Sequence, residues 1–337
     1  MKTPVIIICF LLTINIINAQ QSEFPLLSGE YLGQKTPGSM AELFAYDLLS
    51  AGFQEGRIVF SPDGAELIYE LSIPSGKYFN DIKGLFGYGY TMYSSNQNTY
   101  WTLPSEFLYA CGYKIEYPFF SPDGNKIFFN STGQRNVLLN TPSSRLWYII
   151  RQDDGWSEPK AIDFGEGYQG RGAIYPSVAA NGNLYFAQFP DGVHGFIYRS
   201  RYEDGKYVSP EILPEAINDQ GANHPYIAPD ESFMIFDSER NVTFGLSDLY
   251  ISFRDMQGNW MKPINLGDNI NSKYDERRAF LSYDRKYLFF VSDRISADKT
   301  NSPLTITDIK QLVDLPANGN RHIYWVDASF IEDLRKK

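Results

Sequence analysis

The stretch Ile58-Val59-Phe60-Ser61-Pro62-Asp63-Gly64-Ala65-Glu66-Leu67-Ile68-Tyr69 returns as Phe119-Phe120-Ser121-Pro122-Asp123-Gly124-Asn125-Lys126-Ile127-Phe128-Phe129. Its chemistry is that of a tight hairpin. Proline fixes φ, aspartate bonds its own backbone, and glycine takes a positive φ, so an apolar strand turns back on itself as a second apolar strand. Weaker copies run from Pro176 to Phe186, Pro225 to Phe236 and Ala279 to Phe290. Measured on Asp63, Asp123, Asn181, Asp230 and Asp284, the turns fall 49 to 60 residues apart. Two of the copies depart from the pattern. Ala180-Asn181 replaces Pro-Asp, and Ser282-Tyr283-Asp284-Arg285 lacks both proline and glycine, which puts register in doubt at those two turns.

A second hairpin follows in the clearest units. Leu146 to Arg151 turns through Asp153-Asp154-Gly155 into Trp156-Ser157-Glu158-Pro159-Lys160. Phe196 to Ser200 turns through Glu203-Asp204-Gly205 into Tyr207-Val208-Ser209-Pro210, and Leu249 to Arg254 through Gln257-Gly258-Asn259 into Trp260-Met261-Lys262-Pro263. The strand carrying proline belongs at the outer edge, where no ladder bond is lost. Each unit is then a four-stranded sheet that cannot cover both its apolar faces alone. Packed radially, neighbours cover one another, so the repeat predicts an all-β propeller of about five four-stranded blades in a single domain spanning 55–329. Irregular sequence between Leu71 and Tyr113 leaves a count of six open. The last unit has three strands before a helix-like tail at 330–337. The lead-in, 20–54, contains Met40-Ala41-Glu42-Leu43-Phe44-Ala45, which is expected to supply the missing strand and remove an exposed edge.

Lys2 followed by an apolar stretch from Val5 to Ile17, then Asn18-Ala19, reads as a cleaved signal peptide over residues 1–19. The run is too short to span a bilayer, so no membrane span is expected after cleavage and the compartment is periplasmic or extracellular. Cys9 would leave with the signal, and Cys111 alone cannot form an internal disulfide. A net charge of −10 without a basic run argues against nucleic acid as a partner. Aromatic residues make up 16% of the chain, in keeping with an all-β protein.

At these residues the chain resembles the WD40-like propeller repeat of TolB-type periplasmic proteins. The likeness rests on the Ser-Pro-Asp-Gly turn, on Asp248-Leu249-Tyr250 and on the Gly-x-Trp-x-x-Pro ending from Gly258 to Pro263. Tyr31-Leu32-Gly33-Gln34-Lys35 with Glu42-Leu43-Phe44 resembles the lead-in of a bacterial subgroup. The resemblance implies an exported protein that binds a partner at the ring's axis. Propellers carry many functions, so it does not name an activity.

The inner strands of a propeller begin near one mouth of the axis. Four residues before each serine-equivalent position stand Arg57, Tyr117, Tyr175, His224 and Arg278, with Glu55, Glu116, Asn223, Glu276 and Arg277 beside them. Arg57, Tyr117, Tyr175, His224, Arg277 and Arg278 form the expected rim for a protein or glycan, through guanidinium forks and aromatic faces. Solvated loop polarity is the plainer alternative. Glu55, Glu116 and Glu276 are the candidate acids if the protein is instead a glycosidase. Ser238-Glu239-Arg240 and Ser292-Asp293-Arg294 share one phase and are expected to form ion pairs between adjacent blades. His194, His224 and His322 lack metal-ligand spacing, so neither metal nor cofactor is expected. Asp154 and Trp156 read as turn and packing residues.

Overall fold

A computed structural model describes residues 25–49, 53–73, 88–97, 99–107, 115–131, 145–165, 168, 172–240, 244–295, 305–307 and 315–336. The expected signal at 1–19 and Cys111 lie outside them. The repeat forms five antiparallel blades of four strands. Their first three strands are Gln54–Phe60, Glu66–Ile73 and Tyr88–Gln97 in blade 1 and Glu116–Phe120, Lys126–Ser131 and Arg145–Gln152 in blade 2. Blade 3 uses Ile174–Val178, Leu184–Gln188 and Phe196–Ser200; blade 4 uses Asn223–Ile227, Phe233–Ser238 and Asp248–Phe253; blade 5 uses Glu276–Leu281, Tyr287–Ser292 and His322–Asp327. The first strands touch one another in blade order, and that of blade 5 touches that of blade 1, so the ring is closed.

Blade 1 is regular, which excludes a sixth blade at the stretch that left the count open. Its outer strand, like that of blade 2, is split around a proline. Tyr100–Trp101 and Ser105–Glu106 flank Pro104 and pair the same third strand, as Gly155–Trp156 and Lys160–Ala161 do around Pro159. A proline at the edge interrupts the ladder without burying an unpaired group. In blades 3 and 4 the outer pairing is Glu211–Ile212 and Ile264–Asn265, just beyond Pro210 and Pro263.

The turns explain why the weak copies still fold. Ser61 Oγ donates to Asp63 Oδ1 (2.5 Å), and the Glu66 and Ala65 amides donate to Ser61 Oγ (2.8 Å) and Asp63 Oδ1 (3.0 Å). Blade 5 repeats this with Ser282 and Asp284 (2.6 Å), while Arg285 holds the left-handed position at φ 60° that Gly64 holds at 69°. Blade 3 is one residue shorter: Ala179 N bonds Asn183 O, where Ser61 N bonds Glu66 O.

Closure follows the expected route. Glu42 and Leu43 pair with Trp325 and Tyr324, and Phe44 N donates to Ile323 O (2.9 Å). Phe44 is fully buried, with its ring 5.1 Å from Phe289 and 5.0 Å from Trp325 of blade 5 and 6.2 Å from Phe60 of blade 1. Tyr31 packs edge-on to both Phe60 and Tyr287 at 5.1 Å. The lead-in therefore clasps the last seam of the ring. The tail forms a short helix, Phe330–Arg335. Among the described residues no helix is long and apolar enough to cross a membrane.

Candidate functional site

Every innermost strand carries one extra residue. Pairing slips between Glu55 and Ile58, Glu116 and Phe119, Ile174 and Ser177, Asn223 and Tyr226, and Arg277 and Phe280. Such bulges re-aim a side chain out of the strand's alternation. Within them sit Arg57, Tyr117, Tyr175, His224 and Arg278. The last four hold φ of 52°, 61°, 45° and 62°, a left-handed backbone that costs a non-glycine residue about 1–3 kcal/mol. Pro118, Pro176 and Pro225 follow three of these residues, where a missing N–H spares the interrupted ladder.

The five side chains meet across the axis. Arg57 of blade 1, fully buried, donates from Nη1 to the Pro176 carbonyl of blade 3 (2.9 Å) and from Nη2 to the Pro225 carbonyl of blade 4 (3.3 Å). Arg278 of blade 5 reaches Tyr117 of blade 2, with Nη2 donating to its hydroxyl (3.2 Å) and the guanidinium 5.0 Å from its ring. The Tyr175 ring lies 4.4 Å from that of Tyr117 and 3.8 Å from that of His224. Beneath them Phe119, Tyr226 and Phe280 close the axis, with centroids 6.0 to 6.4 Å apart. Arg57 stands over Phe119 at 5.5 Å. The arrangement is a cup-like axial cluster with a buried cationic base under a half-buried layer of Tyr117, Tyr175 and Arg278.

Two carboxylates that the sequence reading passed over hold this wall. Glu70 accepts from the amides of Arg57 and Tyr117 (both 2.9 Å), tying the bulges of blades 1 and 2 together. Asp237 accepts from His224 Nδ1 (2.9 Å) and from the Arg278 amide (3.2 Å), tying blades 4 and 5. Both lie seven residues beyond the turn aspartates Asp63 and Asp230 and interrupt an otherwise apolar strand, a signal present in the sequence. Gly56 faces Glu70 so closely that a Cβ there would lie 2.7 Å from Glu70 Cβ and Oε2.

Burial sets the protonation of the cup. It pulls His224 down to about 4, against the pull of Asp237, so the imidazole is neutral with its Nδ1 proton on Asp237. Nε2 is then an acceptor with no partner among the described residues, and Arg57 Nε is a donor in the same state. Burial, opposed by Glu70 and reinforced by Arg278, lowers Arg57 to about 10, which leaves it charged at neutral pH.

The remaining candidates are placed elsewhere. Arg277 pairs with Asp275 (3.0 Å) and Glu239 (3.7 Å) instead of joining the cup. Glu276, fully buried, accepts from Ser272 N and Oγ, Ser292 Oγ (each 2.7 Å) and Arg294 (3.0 Å). Glu55, also buried, accepts from Ile323 N (2.6 Å) at the closing seam. Glu116 accepts from Asn130 Nδ2 (3.1 Å) within blade 2. Of the Ser-acid-Arg repeats, the first joins adjacent blades by an ion pair as expected, Glu239 of blade 4 with Arg277 of blade 5 (3.7 Å), and the second does not. Arg294 pairs with Glu276 of its own blade and stacks over Tyr324 at 4.6 Å, while Arg240 bonds backbone carbonyls and stacks over Phe236 at 5.3 Å. Among the described residues no three metal-ligating side chains gather.

No protein-family model and no curated protein matches the sequence. Solved structures with similar folds include a putative TolB from Agrobacterium tumefaciens, at 15% identity and a TM-score of 0.46 over 81% of this chain and 89% of that one. An α-L-arabinofuranosidase from Lactobacillus brevis is similar at 13% identity and 0.42 over 83% and 93%, and a Trypanosoma rangeli sialidase at 12% and 0.38 over 72% and 44%.

Proposed function

We propose that this protein is an exported, non-enzymatic binding propeller whose axial cup takes a polar group of a protein or glycan. The observation that supports the reading most is the ring of bulges that holds large cationic and aromatic side chains, at non-glycine left-handed positions, over one buried arginine. Backbone strain of this kind is retained where the side chain it presents is used. The Arg278 guanidinium has one hydrogen-bond acceptor among the described residues, Tyr117 Oη, and offers five donors. Half-buried between tyrosine rings, the Arg278 guanidinium suits a carboxylate or hydroxyl-rich group. The glycosidase alternative draws no support from Glu55 and Glu276, whose carboxylates are spent on buried structural bonds.

The apolar segment from Val5 to Ile17 supports export, which N-terminal sequencing of the secreted protein would test by a start at Gln20. Binding is tested with a glycan array and a peptide array, on the wild type and on Arg278→Ala and Tyr175→Ala. Loss of a charge-assisted bond should weaken a bound ligand about tenfold or more. A ligand whose affinity is unchanged in both variants is bound outside the cup and refutes the reading, and so does turnover of any bound glycan.

A further inference from the structure

Two of the five seams between blades share one device, two others are served by the chain's ends, and one departs from both. Between blades 1 and 2, Glu66 binds Arg151, which stands over Trp156 at 4.2 Å. Between blades 3 and 4, Arg254 bonds Tyr185 Oη (2.9 Å), lies 4.0 Å from Glu231 and stands over Trp260 at 4.6 Å. The chain's two ends serve the others: Arg335 lies over Phe233 and Phe253 on the blade 4 face, and Tyr31 fills the seam between blades 5 and 1.

Between blades 2 and 3 the polarity is inverted. Lys126 occupies the turn position that Glu66 has in blade 1, each carbonyl accepting from the serine of its turn. The hairpin that gives blade 2 its Arg151 and Trp156 gives blade 3 Tyr202 and Tyr207. The Lys126 ammonium stands 5.7 Å from the Tyr148 ring and 5.4 Å from the Tyr202 ring, with no carboxylate in ion-pair range among the described residues. Adjoining cavities of about 240 and 350 Å³ open on either side, sharing Lys126, Phe128, Tyr202 and Tyr207. Gly182 makes room for this wall, since a Cβ there would lie 2.8 Å from Tyr202. A cavity of about 350 Å³ also lies beside Tyr31, but its rim is acidic, with Glu30, Asp63 and Asp284 against Lys286.

We infer that the seam between blades 2 and 3 is a second binding site, separate from the axial cup, for an acidic saccharide. Asp163 and Asp123 line one cavity each, but neither forms an ion pair with Lys126 among the described residues, so this half-buried ammonium between ring faces is free to take an anion, and the exposed Lys206 on the rim adds to the attraction. Tyrosine faces are left for the flat apolar side of a sugar ring. A uronic acid brings both features in one rigid unit. An acidic side chain of a peptide brings the charge on a flexible stem, without the face.

Titration calorimetry of the full mature protein tests this, using trisaccharides of galacturonate, mannuronate and glucuronate, with maltotriose and tri-glutamate as comparators. At least one uronate should bind, and maltotriose and tri-glutamate should bind about tenfold more weakly or not at all. Lys126→Met and Tyr202→Ala should each weaken the uronate about tenfold, and Arg278→Ala should leave it unchanged. Tyr202→Phe should retain binding, which separates a lost ring face from a loosened seam. No uronate binding, equal binding of tri-glutamate, or affinity unaffected by Lys126→Met overturns the assignment. Loss on Arg278→Ala alone also overturns it, while supporting the axial reading.

Discussion

Acidification should destabilise this propeller through two buried imidazoles before its carboxylates protonate. Burial holds both His224 and His322 near pKa 4 in the folded state, against 6.5 in the unfolded chain. Above pH 6.5 both states are neutral and stability does not change. As pH falls from 6.5 towards 4 the unfolded chain takes up protons that the folded chain refuses, so stability is lost across that window and levels off below it. At pH 4.5 each histidine costs about 2–3 kcal/mol, a large part of the 5–15 kcal/mol typical of a domain. Asp275 and Glu276, whose carboxyls burial pushes up, act in the opposite direction, so the assay must isolate one imidazole. His224→Asn keeps an N–H for Asp237 and does not titrate. Urea unfolding of wild type and variant at pH 7.5 and 4.5 should show the variant losing about 2–3 kcal/mol less on acidification. An equal loss in both proteins, or a His224 ring resonance that titrates near 6.5, refutes the buried neutral imidazole.

Gly56→Ala would drive a methyl into Glu70 Cβ and Oε2 at 2.7 Å, beside Arg278 Nη1 at 3.2 Å. Overpacking of this kind costs about 1–3 kcal/mol, and urea unfolding with unchanged stability would show that the bulge is not clamped as described. Phe44→Ala removes a fully buried ring from the closing seam and should cost about 3–5 kcal/mol. It should also free the edge of blade 5, read as concentration-dependent association in sedimentation; a monomer of wild-type stability would mean that the N-terminal strand is not what closes the ring.

Much of this architecture was legible in the chain because a turn announces itself locally. Ser-Pro-Asp-Gly fixes a hairpin wherever it occurs, and its spacing gives the blade. The phase of Arg57, Tyr117, Tyr175, His224 and Arg278 relative to those turns was enough to bring them to one mouth. Arg277, one residue from Arg278, was grouped with them and is not there, because it still pairs in register with Val291, just before the bulge that re-aims Arg278. Glu70 and Asp237 were readable as polar breaks in apolar strands, but the one-residue contraction in blade 3 puts Ala187 where counting from Asn181 puts Gln188, and blurs the pattern.

Sequence alone determined the hairpins and the strand that closes the ring, since each depends on residues near one another or on matching a missing edge, while it left five and six blades both open. Partnership across the axis was decided only by the tertiary structure. Arg57 bonds carbonyls of blades 3 and 4, and Arg278 meets Tyr117 of blade 2, contacts 119 to 168 residues apart in the chain. No local pattern encodes such a meeting; it exists because five bulges, each tolerable alone, are brought to a common centre by ring closure.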